Sequence, residues 1–364
     1  MRILIAPDKF KEVLPAARVA EQIAAGLREA LPGAEISTMP VADGGEGTAD
    51  AICSARGGEW HQRVVQDSLG QPVSASYCTI AHGEVAVLEV SQACGLWRVP
   101  GAQRDPELAS SSGVGEMLRD ATARGAKRII LGLGGSATND GGLGMARALG
   151  FRFLDAQGAE LHLRVSELLR LHAVEWPNEW HLPEIVAAVD VQVPLLGERG
   201  ATRMFAAQKG ATGEQIPLLE RSLARLAEVI GSDAHLRPGA GAAGGLGFGL
   251  VAFCGATIRS GFEVVAEQIG LAAAVEQADV VITGEGRLDA QTLEGKAPAG
   301  VARLARELGK RCFALVGELE AAGGVCELFD EVVVLKPAEM SRMEAKQMAP
   351  ALLRERARQL GLRL

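Results

Sequence analysis

The sequence predicts an α/β protein of two domains, a Rossmann-like parallel sheet flanked by helices and a second, mixed α/β domain inserted in the middle of the chain. Three observations carry this. Short apolar runs end in glycine- and acid-rich turns and alternate with helical patterns at both ends of the chain, the order that gives a parallel sheet covered by helices. The stretch 61–100 instead alternates polar and apolar residues around a His82-Gly83 turn, which reads as antiparallel hairpins. The chain has 364 residues, more than one hydrophobic core usually serves.

Residues 2–6 (RILIA) read as the first strand. A helix over 15–31 follows, with Val19, Ile23 and Leu27 on one stripe. Residues 35–42 form a second strand, and a loop at 43–47 leads into a helix to about 56. Parallel strands resume at Ile129, at 279–283 and at 312–316, and 329–337 is the last strand. A closing helix spans 343–360. The expected division is 1–60 with 256–364 as the discontinuous parallel domain, and 61–255 as the insertion. Ligands of such sheets sit beyond the carboxyl ends of the strands. Asp8, Lys9 and Lys11 lie at the end of the first strand, and Asp43 and Glu46 at the end of the second.

Composition narrows the partners. The formal net charge is −8, the wrong sign for a general nucleic-acid binder. Hydrophobic residues make up 48% of the chain but aromatics only 4%, so the cores must be built from Ala, Val, Leu and Ile. The six cysteines are scattered without a C-x-x-C pair, which points to reduced thiols in the cytoplasm. MRILIAPDKFK reads as a strand followed by charges, not as a signal peptide. The uncharged run 238–258 is glycine-rich and reads as a buried loop entering a close-packed helix, not as a membrane span.

The most informative stretch is Arg128 to Gly142, RIILGLGGSATNDGG. A buried strand ends in glycines and short polar residues before a helix, an arrangement that offers backbone N–H groups to phosphate. Gly134, Gly135, Ser136, Thr138 and Asn139 are the candidate phosphate cradle. Gly132-x-Gly134-x-x-Ala137, with Asp155 further on, also fits the dinucleotide fingerprint, although Asn139-Asp140-Gly141-Gly142 interrupts the helix that should follow. No Walker-type loop is present, because Gly295-Lys296 is followed by Ala297, and Ala290 stands where the first glycine belongs. The loop 283–289 with Lys296 offers Glu285 and Asp289 as oxygen ligands for Mg²⁺, and Arg287 and Lys296 as phosphate counter-charges. Asp190, at the end of the apolar run IVAAVDV, is a candidate general base for a hydroxyl nucleophile. Lys209 in AAQKGAT is a candidate anion ligand.

Taken together, IAPDKFK (5–11), VADGGEGT (41–48), GLGGSATNDGG (132–142), QKGAT (208–212), PGAGAAGGLG (238–247) and VITGEGRLDAQTLEGKAP (281–298) resemble the bacterial glycerate kinase family, of the glycerate 2-kinase type. The resemblance runs nearly end to end. It implies a two-domain kinase with its active site in the cleft between domains. It further implies ATP and Mg²⁺ as cofactors and transfer of the γ-phosphoryl group to the 2-hydroxyl of D-glycerate. Carried over residue by residue, Asp190, Lys11, Asp8 and Lys296 are the catalytic candidates. Asp43, Lys209, Arg287 and Glu285 are expected on the substrate, and Asp140 and Asp289 on the metal. Lys11 or Arg287 would meet the substrate carboxylate. No membrane or nucleic-acid partner is implied, and monomer and homodimer are both open. Two other readings stand beside it: an NAD(P)-dependent oxidoreductase built on Gly132, Gly134 and Asp155, and a non-catalytic relative that binds an acid or nucleotide. Departures from the family pattern motivate the last. Lys9 stands where Ser or Thr is usual, Glu12-Val13 where Gly/Glu-Ser is, and Cys94 in a Ser place. Val193 replaces an Asn, Ala206-Ala207 replace Gly-Pro, and VGELEAAGG at 316–324 replaces a Gly-Ser loop.

Overall fold

Buried on both faces, a parallel strand needs nearly continuous apolar side chains. The computed structural model, which describes residues 1–178, 181–289, 292, 295–320 and 324–364, places such runs at the centres of two sheets. The chain divides into two compact units, 1–43 with 50–56 and 260–364, and 44–49 with 57–259.

The first unit holds a five-stranded sheet in the order Glu331–Val334, Arg311–Leu319, Val280–Leu288, Arg2–Ile5, Glu35–Thr38, with every pairing parallel. Ile3, Ile5, Val280, Ile282, Phe313 and Leu315 are buried in its core, with Val19, Ile23 and Leu27 of the helix Ala16–Ala30 packed against them. The second strand stops at Thr38, short of the expected 42, because Met39-Pro40 follows. The closing helix is two helices, Arg342–Gln347 and Ala349–Gly361, with Pro350 in the first turn of the second.

The segment 284–288, expected as loop, is the second half of the strand Val280–Leu288. It stays in register with the long neighbour Arg311–Leu319, pairing Arg287 with Glu318 and Leu288 with Leu319. Here the partner strand overrides the low strand propensity of glycine and glutamate.

The second unit holds a six-stranded mixed sheet, Thr257–Ser260, Glu184–Val189, Arg128–Gly132, Val85–Glu89, Pro72–Ile80, Glu59–Gln66. The hairpin residues at one edge pair antiparallel, while Val85–Glu89, Arg128–Gly132 and Glu184–Val189 run parallel. The expected hairpins are therefore the antiparallel flank of one mixed sheet. The uncharged run 238–258 contains the helical segment Ala242–Cys254, broken by a turn at 243–245, and no helix among the described residues is long and apolar enough to cross a membrane.

Candidate active site: two strand-end clusters

In the first unit the chain leaves the strand Arg2–Ile5 with Asp8 held by its neighbour strand. The Ala6 amide donates to the Ile282 carbonyl at 2.7 Å, and the Asp8 amide to the Gly284 carbonyl at 2.9 Å. The Asp8 side chain is buried and accepts the Lys9 amide at 2.6 Å. The Lys9 ammonium lies 3.4 Å from Asp43 Oδ1 and 3.7 Å from Asp8 Oδ1. The Lys9 cation thus sits within the acid pair. Burial, reinforced by Asp43 and opposed by Lys9, raises the Asp8 carboxyl to about 7.

Glu285, also buried, accepts the Thr292 hydroxyl at 2.8 Å and faces the Lys296 ammonium at 3.7 Å. Burial, opposed by Lys296 and the Thr292 hydrogen bond, raises its carboxyl to about 7. Lys296 also approaches Asp289 at 3.3 Å, directly before the helix Ala297–Glu307. Asp8, just past the strand Arg2–Ile5, and Glu285, within the adjacent parallel strand Val280–Leu288, are thus two buried carboxyls, each beside an ammonium. Arg287 is not part of this cluster's buried core. It is exposed, ion-paired with Glu320 and 3.7 Å from Asp289. Lys11 is exposed and has no hydrogen bond or ion pair among the described residues.

In the second unit the carboxyl ends of the parallel strands gather Glu89, the loop after Gly132, and Asp190. Glu89, Gly132 and Ala188 are in register across the three strands, and Asp190, half-buried, follows two residues after Ala188. Glycine is required at 134 because a Cβ there would lie 2.5 Å from the Gly45 Cα. The segment 239–249 wedges against both partners. The Gly241 amide donates to the Val193 carbonyl at 2.9 Å, and the Thr138 hydroxyl to the Ala243 carbonyl at 3.2 Å.

Several of the expected site residues are already engaged by the protein itself. Asp140 is buried and already has four protein donors. Oδ2 accepts the Ser111 amide and hydroxyl, both at 2.8 Å, and the Gly144 amide at 3.0 Å, while Oδ1 accepts the Gly142 amide at 3.1 Å. These bonds anchor Asp140 at the start of the helix Leu143–Ala148. Among the described residues no group of three or more His, Cys, Asp or Glu is placed to hold a metal ion.

Lys209 points inward. It is 4% exposed and donates to the Thr138 carbonyl at 2.6 Å and the Ser136 hydroxyl at 3.2 Å. Burial lowers it to about 7, against the pull of Asp140. Asp155 belongs to a turn, accepting the Gln157 and Ala159 amides and the Arg170 guanidinium, so it is not presented to a ribose. Cys94 is buried, with its thiol donating to the Ser110 carbonyl at 3.4 Å. Of the segment VGELEAAGG, residues 321–323 lie outside the described residues, as do 290–291 and 293–294 of the motif before Lys296.

Glu89 was not among the expected site residues. Buried at its strand end, it accepts the Gly47 amide at 3.0 Å and the Ala49 amide at 2.8 Å, fixing the DGGEGT loop. An acid closing the apolar run VAVLE is the same signal that marked Asp190.

Two α/β units with glycine loops and buried acid–lysine clusters at the strand ends define a class of protein that handles small anionic ligands. Comparison with known proteins makes this specific: residues 3–364 match the model of the glycerate kinase family, and the chain belongs to it. It is 42% identical to glycerate 2-kinase of Escherichia coli K12 over 332 residues, covering 89% of this chain and 87% of that protein. It is 41% identical to a glycerate kinase of Halalkalibacterium halodurans over 369 residues, covering 99% and 97%. A solved structure from Salmonella typhimurium LT2 bearing the glycerate kinase 2 name superposes with a TM-score of 0.85 at 40% identity, covering 99% of this chain and 97% of that one.

Proposed function

We propose that this chain transfers the γ-phosphoryl group of ATP to the 2-hydroxyl of D-glycerate, giving 2-phosphoglycerate and ADP. The family match over 3–364 is the observation that carries the reading. The reaction forms a bond from the 2-oxygen to the γ-phosphorus and breaks the bond to the bridging oxygen of ADP. The hydroxyl proton passes to a carboxylate, and Asp190 is assigned that role. Such transfer demands positioning and charge neutralisation above all. The loop from Gly134 to Asn139 is assigned to the phosphates, and Lys296 to the charge on them. Asp8 and Asp43, held by Lys9, orient the substrate, and Lys11 meets its carboxylate.

Magnesium is commonly held by one or two carboxylates together with substrate phosphates. The two neighbouring carboxylates fit that mode: Glu285 and Asp289 would hold the cation, and it would supply charge neutralisation to the phosphates. The oxidoreductase reading finds no support in the placement of Asp155. Six free thiols agree with a reducing compartment, the cytoplasm.

The test is ADP release with ATP, Mg²⁺ and D-glycerate, with L-glycerate, lactate, tartronate and no acid as controls, followed by ³¹P NMR of the product. Turnover specific to D-glycerate, with the phosphorus coupled to the proton on C2, is the expected result. No turnover with any acid would overturn the reading. Asp190→Asn should lower turnover by orders of magnitude, and near-normal turnover would remove Asp190 from the proton-transfer step.

A further inference from the structure

A lysine in a glycine-flanked loop ordinarily keeps its ammonium in water, yet Lys209 is 4% exposed. We infer that Lys209 is not a ligand of the substrate but a positioning residue, the internal strut that sets the loop 134–139, and that Arg104 locks the turn carrying it. The inference rests on the reading of that loop as the phosphate cradle.

The loop is held from two sides. On one side the Leu96 amide donates to the Gly135 carbonyl at 2.8 Å, and the Ala137 amide to the Cys94 carbonyl at 2.8 Å. On the other side Asn139 Nδ2 donates to the Thr202 hydroxyl at 3.1 Å, and Lys209 spans Ser136 and Thr138. Arg104 joins the two sides. Its guanidinium donates to the Leu96 carbonyl at 3.3 Å, the Val99 carbonyl at 3.1 Å and the Gln208 carbonyl at 3.4 Å. Gly210, at φ +99°, lets the turn close on the Arg104 carbonyl, where a Cβ would come within 2.3 Å. The contacts form a closed ring from Gly135 through Leu96, Arg104 and the Gln208–Lys209 turn to Ser136.

The chemistry of the head group matters. In its charged form the head group has donors only, so it occupies a lone pair of the Ser136 hydroxyl and leaves the hydroxyl proton to be donated elsewhere. In a phosphate cradle that proton is the useful one. A buried ammonium is costly unless its hydrogen bonds are made, which is why it fixes the positions of the two acceptors.

The test uses the full chain with Lys209→Met and, separately, Arg104→Met, a half-buried position with no proposed ligand role. Hydrogen exchange of the 134–139 amides is read without nucleotide, and KM is read for ATP and for D-glycerate. Exchange should quicken by about tenfold or more in Lys209→Met and less in Arg104→Met. KM for ATP should rise about tenfold while KM for D-glycerate stays within about threefold. Unchanged exchange in both variants overturns the strut, whatever the kinetics. A raised KM for D-glycerate with unchanged exchange identifies Lys209 as a ligand and also overturns it. Faster exchange with unchanged KM for ATP upholds the strut and overturns the cradle. Should Lys209→Met fail to fold, Arg104→Met alone decides, since quickened exchange upholds the ring and unchanged exchange overturns it.

Discussion

The Ser111 hydroxyl donates to Asp140 Oδ2 at 2.8 Å and accepts the Met145 amide at 2.9 Å, so one buried pair closes the start of the helix Leu143–Ala148 from both directions. Asp140→Asn keeps the shape but loses the charge and turns an NH₂ donor toward protein donors that an oxygen had accepted. A loss of about 2–4 kcal/mol is expected, read by urea unfolding at neutral pH. The Mg²⁺ concentration needed for half-maximal activity should stay the same in whatever enzyme folds. Preserved stability with a raised Mg²⁺ requirement would place Asp140 on the metal.

Much of this architecture was legible in the residues. RILI, RIILG and EIVAAV are strands buried on both faces, so their apolar runs announce them. The strand-end rule that singles out Asp8 and Asp190 also covers Glu89, but the alternating pattern around it masks a strand that pairs parallel on one side. What local sequence does not carry is direction. Nothing in AAQKGAT says that Lys209 turns inward, and nothing in NDGG says that Asp140 is consumed by the Ser111 segment 29 residues earlier. Both depend on partners distant in sequence. The extension of the strand to Leu288 likewise depends on its neighbour Arg311–Leu319.

Asp8 gives a pH signature. Its carboxyl titrates at about 7 in the fold against an ordinary 3.8. Between those values the folded chain keeps a proton that the unfolded chain has released. The stability it contributes is therefore complete below about 3.8 and is lost as pH rises through 7, the reverse of a salt-bridged carboxylate. The groups facing it are Asp43 and Glu285, which favour the protonated form, and Lys9, which opposes them. Asp8→Asn in a chelator-treated sample should raise the melting temperature by roughly 3–6 °C at pH 8, with the gain vanishing near pH 4. A lower melting temperature than wild type at pH 8 would refute the assignment.

The turn at 243–245 is strained in a way that can be measured. Ala243, Gly244 and Gly245 all have positive φ, at 54°, 69° and 87°. Ala243 bears a Cβ in that region, and Gly244 has no room for one, since it would lie 2.0 Å from the Thr138 carbonyl oxygen. Ala243→Gly relieves strain but loosens the unfolded chain, for a net gain between about 0 and 1 kcal/mol. Gly244→Ala must push the Thr138 segment aside and should cost about 3 kcal/mol or more. Thermal unfolding of the two variants side by side tests the sign. Equal stabilities would mean that the close approach to Thr138 is absent in solution.

Lys11 and Arg287 were equal candidates for the substrate carboxylate, and their surroundings separate them. Arg287 already has Glu320 and Asp289 beside it, so its positive charge is offset where it stands. Lys11 is exposed, unpaired among the described residues, and three positions beyond the buried Asp8. An anion arriving at Lys11 breaks no ion pair, whereas at Arg287 it must displace two carboxylates. Lys11→Ala should therefore raise KM for D-glycerate by about tenfold or more, and Arg287→Ala should change it by less than about twofold, both with KM for ATP held. Raising the ionic strength should narrow the gap between wild type and Lys11→Ala, because a long-range charge at an exposed site is screened. The opposite order of effects would place the carboxylate at Arg287 and require Glu320 to swing away, which Glu320→Gln would then make easier, lowering KM.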